Sequence, residues 1–176
     1  MDLTQSYFDL FQIPASYAVD GAALSARYRE LQKQLHPDRY AAAGEREQRL
    51  AVQYSGFVNE AYTTLRMPLR RALYLLQLAG MDAETVAAQK VDGGFLMQQM
   101  ELREKLESFH DLVDPDTVME HLMAEIETDW RELEEQLARH LTADEIIQAA
   151  SAAVKMQYLD KLRIEAEALE SQMLES

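Results

Sequence analysis

The chain has 176 residues, 48% hydrophobic and 27% charged, which describes a folded protein and excludes a disordered one. It has no cysteine, which excludes disulfides and thiolate metal sites. The net charge of −14 sits in one half: residues 1–78 hold 9 Lys/Arg against 8 Asp/Glu, residues 79–176 hold 8 against 23, so two surfaces and two domains are expected and a phosphate-backbone partner is not.

In chain order, a short first helix is predicted over residues 5–11, ending at Ile13-Pro14. Asp20 is placed to cap a second helix over 21–35, because its carboxylate can accept from free amides of the first turn. Leu24, Tyr28, Leu31 and Leu35 recur at 4-3-4 spacing and mark that helix's buried face. Pro37 cannot continue the helix and biases His36 away from helical angles, so the helix should stop at Leu35. An exposed loop over 36–44 would then present His36, Pro37 and Asp38 together. A third helix begins near Glu45 and runs to Arg66, with Leu50, Tyr54, Phe57, Val58, Ala61 and Leu65 inward. Gly56 inside it costs about 1 kcal/mol relative to alanine, a cost that a close helix crossing would explain. Pro68 opens a fourth helix, which carries Leu69, Ala72, Leu73 and Leu76 and is capped by Gly80.

Residues 80–92 read as a connector. A helix is predicted over 94–112 after Asp92-Gly93-Gly94, and a long one over 115–140 after Asp114, with Val118, Leu122, Ile126, Trp130, Leu133 and Leu137 along one side. Trp130 and Met123 are expected in the bundle core. Thr142-Ala143-Asp144-Glu145 has the form of a capping box and would start a last helix reaching Glu170. Its Leu159, Leu162, Ala166, Leu169 and Met173 fall at heptad-like spacing. Three helices with short loops should pack antiparallel. No β alternation is present.

A helical hairpin with His36-Pro37-Asp38 at its tip resembles the J-domain, the module by which co-chaperones stimulate DnaK-type ATPases. Tyr7-Phe8-Asp9-Leu10-Phe11 precedes the hairpin and Thr64-Leu65-Arg66-Met67-Pro68-Leu69-Arg70-Arg71-Ala72 follows it. Phe95-Leu96-Met97 with Glu101-Leu102-Arg103-Glu104, and then Leu159-Asp160-Lys161-Leu162-Arg163, extend the likeness over nearly the whole chain from Tyr7. In this series the chain is similar to the HscB family, J-type co-chaperones of iron–sulfur cluster assembly. The resemblance implies an all-α, L-shaped, two-domain protein: a J-domain over 1–79, a connector over 80–92 and a three-helix bundle over 93–176.

Arg29 and Lys33 fall on the side of the second helix opposite Leu24, Leu31 and Leu35; Arg27 flanks them and Arg39 follows the tripeptide. A cationic face beside a fixed bend suits an acidic partner. The resemblance implies that this partner is an HscA-like, DnaK-type chaperone, met by His36, Pro37, Asp38, Arg29, Lys33, Arg39 and Tyr28. Arg39 stands where family members often carry lysine. The same residues also fit an ordinary helix stop beside a solvated face. A metal-dependent helical phosphohydrolase is the enzyme alternative, but His110, His121 and His140 show no ligand pairing at i+3 or i+4.

On the helix after the connector, Phe95, Leu102, Leu106, Phe109 and Val113 share one direction, enough to seat it. Leu96, Met97 and Met100 point elsewhere, beside Glu104. Either another element covers this second apolar face, or it is a partner surface rimmed by acids. By resemblance the partner is the IscU-like scaffold, and the residues carried over are Leu96, Met97, Met100, Glu101, Glu104 and Tyr158. Met100 replaces a more usual leucine, Tyr158 stands where relatives include phenylalanine, and Ser108 stands where relatives include a further acid. The expected function is to bring scaffold and chaperone together and stimulate the ATPase, without catalysis, cofactor or metal of its own. A general J-type co-chaperone for unfolded clients and a purely structural adaptor are the other binding alternatives. No run reaches the roughly 20 apolar residues of a membrane span, and Met-Asp-Leu-Thr-Gln offers no signal-peptide pattern, so a cytoplasmic location is expected.

Overall fold

The computed structural model describes residues 3–40, 43–108 and 114–174. Eight α-helices and one 3₁₀ turn occupy these residues: α1 Tyr7–Phe11, α2 Gly21–Leu35, the 3₁₀ turn Pro37–Tyr40, α3 Glu45–Arg66, α4 Pro68–Leu78, α5 Ala83–Ala87, α6 Gly93–Glu107, α7 Pro115–Thr142 and α8 Ile146–Leu174. There is no strand among the described residues. Packing separates the chain into two units, Met1–Leu75 and Leu76–Ser176.

In the first unit, Ser6 caps α1 by accepting from the Asp9 amide, and Gln12 in the left-handed region (φ 56°) ends it after one turn. Asp20 caps α2 through the Ala22 and Ala23 amides at 2.9 and 3.1 Å. The core gathers Phe8, Leu10 and Phe11 of α1, Leu24, Leu31 and Leu35 of α2, and Val58, Ala61 and Leu65 of α3. Each large side chain sealed here contributes about 1.5–3 kcal/mol through removal from water. Aromatic pairs close the edges: Tyr28 stacks on Tyr62 at 4.0 Å and Tyr7 on Tyr74 at 4.3 Å, where the Tyr74 hydroxyl also accepts from the Tyr7 amide.

Two α3 expectations are corrected. Leu50 is exposed and Ala51 is buried, because the 3.6-residue repeat through Leu65, Ala61, Val58 and Tyr54 arrives at position 51. Gly56 is not at a helix crossing: a Cβ there would meet nothing within 4 Å.

In the second unit, Gly80 (φ 89°) turns the chain out of α4 while the Met81 amide donates back to the Leu76 carbonyl at 2.9 Å. The expected connector contains α5, capped by Asp82, and its Val86 is buried where α5 packs on α8. The first half of α8 is therefore enclosed on several sides. Ala149, Ala150, Ala152, Ala153, Val154 and Met156 are all buried there. Asp114 caps α7, and α7 pairs antiparallel with α8: Met119, Leu122 and Ile126 share a core with Leu162 and Ala166, joined by Leu102 and Leu106 of α6.

The expected capping box is not formed. The α7 helix continues to Thr142, whose hydroxyl donates to the Ala138 carbonyl at 2.8 Å, and the Glu145 carboxylate pairs with His140 at 2.6 Å. Asp144 takes the left-handed conformation (φ 58°) and the Glu145 amide donates to the His140 carbonyl, so the turn is a C-terminal cap of α7. Trp130 and Met123 are half-buried: Met123 packs against the core, while Trp130 lies under the Arg163 guanidinium at 5.5 Å. The predicted Phe109 and Val113, His110 and the Met173 side chain lie outside the described residues.

Candidate functional site

The α2 helix stops at Leu35, as the proline requires, but the following segment is a 3₁₀ turn and not an irregular loop. The Arg39 amide donates to the His36 carbonyl at 3.0 Å, which closes the turn. The turn is tied on both sides. The Tyr40 hydroxyl reaches the Gln34 carbonyl at 3.4 Å, and Gln48 of α3 donates to the Tyr40 and Ala43 carbonyls at 3.2 and 3.1 Å. The Asp38 amide donates to His36 Nδ1 at 3.3 Å, which in the neutral ring leaves Nε2–H directed away. The Asp38 carboxylate stands 3.5 Å from the same nitrogen, too far for a strong bond, and its side chain is 91% exposed. The tripeptide therefore offers a carboxylate and an imidazole donor on a backbone held in place.

Arg29, Lys33 and Arg39 are exposed and make no ion pair among the described residues. Arg27 differs: it pairs with Glu30 at 2.6 Å and donates to the Phe11 carbonyl and the Gln12 side chain, so its charge is used within the unit. Tyr28 is half-buried, with its hydroxyl donating to Asn59 at 3.0 Å. Its ring supports the face more than it projects from it.

Beside the turn lies an open concavity of about 660 Å³, lined by Leu35, Asp38, Tyr40, Ala51, Val52 and Gly56 among others. No spacing rule indicated it. Its signals were the glycine in mid-helix and Val52 one turn before it, which is 71% exposed.

In the second unit, α6 is held from both partner helices. Asp92 caps it through the Phe95 amide at 2.9 Å and pairs with Lys155 of α8 at 2.5 Å; these contacts hold its carboxyl below the usual carboxylate range, Lys155 first. Arg103 pairs with Glu165 at 3.0 Å, Lys105 with Glu125 at 3.4 Å, and Gln98 donates to Asp129 at 2.8 Å. Burial pushes the Asp129 carboxyl up, helped by Glu125 and Glu132, while the bond from Gln98 opposes the shift. Leu102 and Leu106 are buried and seat the helix.

The outer face stays uncovered. Leu96 is 38% exposed, Met97 65% and Met100 73%, and with Glu101 and Glu104 they line an open concavity of about 670 Å³. Tyr158 does not line that concavity. It is exposed on α8 and meets Phe95 edge-to-face at 6.3 Å, while Lys155 sits over the Phe95 ring at 5.4 Å. Ser108 donates to the Glu104 carbonyl at 2.8 Å and so ends α6. Among the described residues no group of three or more His, Asp or Glu could hold a metal ion, and no described helix is long and apolar enough to cross a membrane.

Residues 91–167 match the family model described as the HSCB C-terminal oligomerisation domain. The chain is 42% identical to a co-chaperone protein HscB homolog of Shewanella loihica, over 94% of this chain and 97% of that one. Among solved structures, the chaperone HscB from Vibrio cholerae superposes with a TM-score of 0.85 at 40% identity, covering 96% of this chain and 99% of the other. Human co-chaperone protein HscB gives a TM-score of 0.89 at 29% identity, covering 97% and 84%. With two exposed surfaces on two helical units and these relatives along its length, the chain belongs to the HscB family, the J-type co-chaperones of iron–sulfur cluster assembly.

Proposed function

We propose that this co-chaperone binds an IscU-like iron–sulfur scaffold through the outer face of α6 and delivers it to a DnaK-type, HscA-like chaperone, whose ATPase it stimulates through the His36-Pro37-Asp38 turn. One observation carries the reading: the Asp38 carboxylate projects from a turn tied to both flanking helices, beside cations that make no ion pair among the described residues. Arg29, Lys33 and Arg39 steer the acidic chaperone surface and set its register. Tyr28 braces that face. The turn raises turnover by binding the hydrolysis-competent state of the chaperone more tightly than its resting state.

On the other unit, Leu96, Met97 and Met100 supply adaptable apolar contact, Glu101 and Glu104 supply the acidic rim, and Tyr158 extends the surface across Phe95. Holding scaffold and chaperone on one chain raises their effective concentration for each other. The protein acts as an adaptor in the cytoplasm and not as an enzyme. Its parts are the J-domain over 1–79, the connector over 80–92 and the scaffold-binding bundle over 93–176.

The test is an ATPase assay of the HscA-like chaperone with the wild-type protein or the Asp38→Ala variant, with and without scaffold. The variant is expected to leave the chaperone at its basal rate while scaffold affinity by calorimetry stays within about twofold, since the substituted residue belongs to a different unit from α6. Stimulation that survives the substitution would overturn the role of the turn.

A further inference from the structure

A chain without cysteine has no thiol to oxidise, so the thioethers are its softest exposed groups toward an electrophilic oxidant. The methionines differ sharply in access. Met119 and Met156 are 3% and 0% exposed, Met123 packs on the core, and Met67 in the first unit is 43% exposed. Met97 and Met100 are more open than any of these, and they stand three residues apart on the outer face of α6, so their side chains are neighbours. Both line the same concavity as Leu96, Glu101 and Glu104.

We propose that Met97 and Met100 form a paired oxidation site that switches scaffold binding off, an inference that rests on the assignment of this face to the scaffold. The oxidant is a peroxide. The thioether sulfur attacks one peroxide oxygen, an S–O bond forms as the O–O bond breaks, and the proton on the transferred oxygen passes to the departing hydroxide, which leaves as water. Each sulfur loses two electrons and the peroxide gains them. The product is a polar, chiral sulfoxide where a flexible apolar group stood. Docking would then strip water from two strong acceptors on a face that otherwise offers apolar contact. Sulfoxide reductases reverse the change, so the switch can be reset.

The full-length protein is treated with hydrogen peroxide and oxygen uptake at each methionine is followed by peptide mass spectrometry. Affinity for an IscU-like scaffold is measured by calorimetry before treatment, after it, and after incubation with methionine sulfoxide reductase. Met97 and Met100 are expected to oxidise ahead of Met119 and Met156, affinity to fall by roughly tenfold or more, and reductase to restore it. Met67→Leu protein should lose affinity as the wild type does. The double variant Met97→Leu, Met100→Leu should keep through treatment whatever affinity it starts with. Unchanged affinity of the doubly oxidised protein overturns the switch alone, as does equal loss in the double variant or uptake at Met119 and Met156 as fast as at the outer pair. Untreated protein that ignores the scaffold overturns the assignment of the face, and the switch with it.

Discussion

Asp92 and Asp129 are both carboxylates in contact with α6, yet their surroundings drive them in opposite directions. Asp92 meets an ammonium and an amide, which favour its charged form. Asp129 meets partial burial and two further acids, which disfavour it. A carboxyl whose affinity for its proton is raised by folding weakens the fold when it ionises, so the cost is present at neutral pH and absent below the ordinary carboxylate range. Asp129→Asn should therefore raise stability at pH 7 slightly, by less than about 1 kcal/mol given the solvent screening of a partly exposed group. Its amide oxygen can still accept from Gln98. The gain should vanish in acid, which urea unfolding at the two pH values would show. A substitution that destabilises at pH 7 would mean that the carboxylate makes a stronger contact than its surroundings indicate. At this scale part of the local chemistry could be read from the residues: Asp20 and Asp114 were recognisable as caps because a short acceptor precedes a periodic apolar run, whereas the Asp92 cap emerged only with the structure. The Thr142–Glu145 box failed for a local reason, since the same four residues serve equally well to end one helix as to begin the next.

Among elements, α3 shows how far periodicity reaches. Its inward positions from Tyr54 to Leu65 were legible, while Leu50 was placed inward by apolar character against the helical repeat. Gly56 has open space around a virtual Cβ and normal helical surroundings, so Gly56→Ala should stabilise the protein by about 1 kcal/mol in chemical denaturation, through helix propensity alone. A destabilised variant would show that the glycine serves a backbone contact or motion instead. The second apolar face of α6 was visible as a misfit to a single stripe, and its exposure follows from which direction Leu102 and Leu106 take into the core. The α5 helix was not legible. Five residues are too few for a periodic signal, and its only strong marks are the Asp82 cap and the buried Val86.

For the whole molecule, the break in charge density near residue 78 falls close to the division by packing after Leu75, because the two units carry different surfaces. A nearly neutral unit bearing exposed cations and a strongly acidic unit bearing an apolar face attract different partners, and long-range potential sorts encounters before contact begins. The relatives match this chain along most of their length, so the likeness extends well beyond the tripeptide.

The packing of α5 on α8, with Val86 buried, decides where this protein can be cut. A fragment begun at Gly93, where the bundle was expected to start, takes α5 away from the helix it packs on. It should melt earlier than a fragment begun at Leu76 and aggregate more readily, as paired thermal scans with light scattering would reveal; equal melting would make α5 mere ornament.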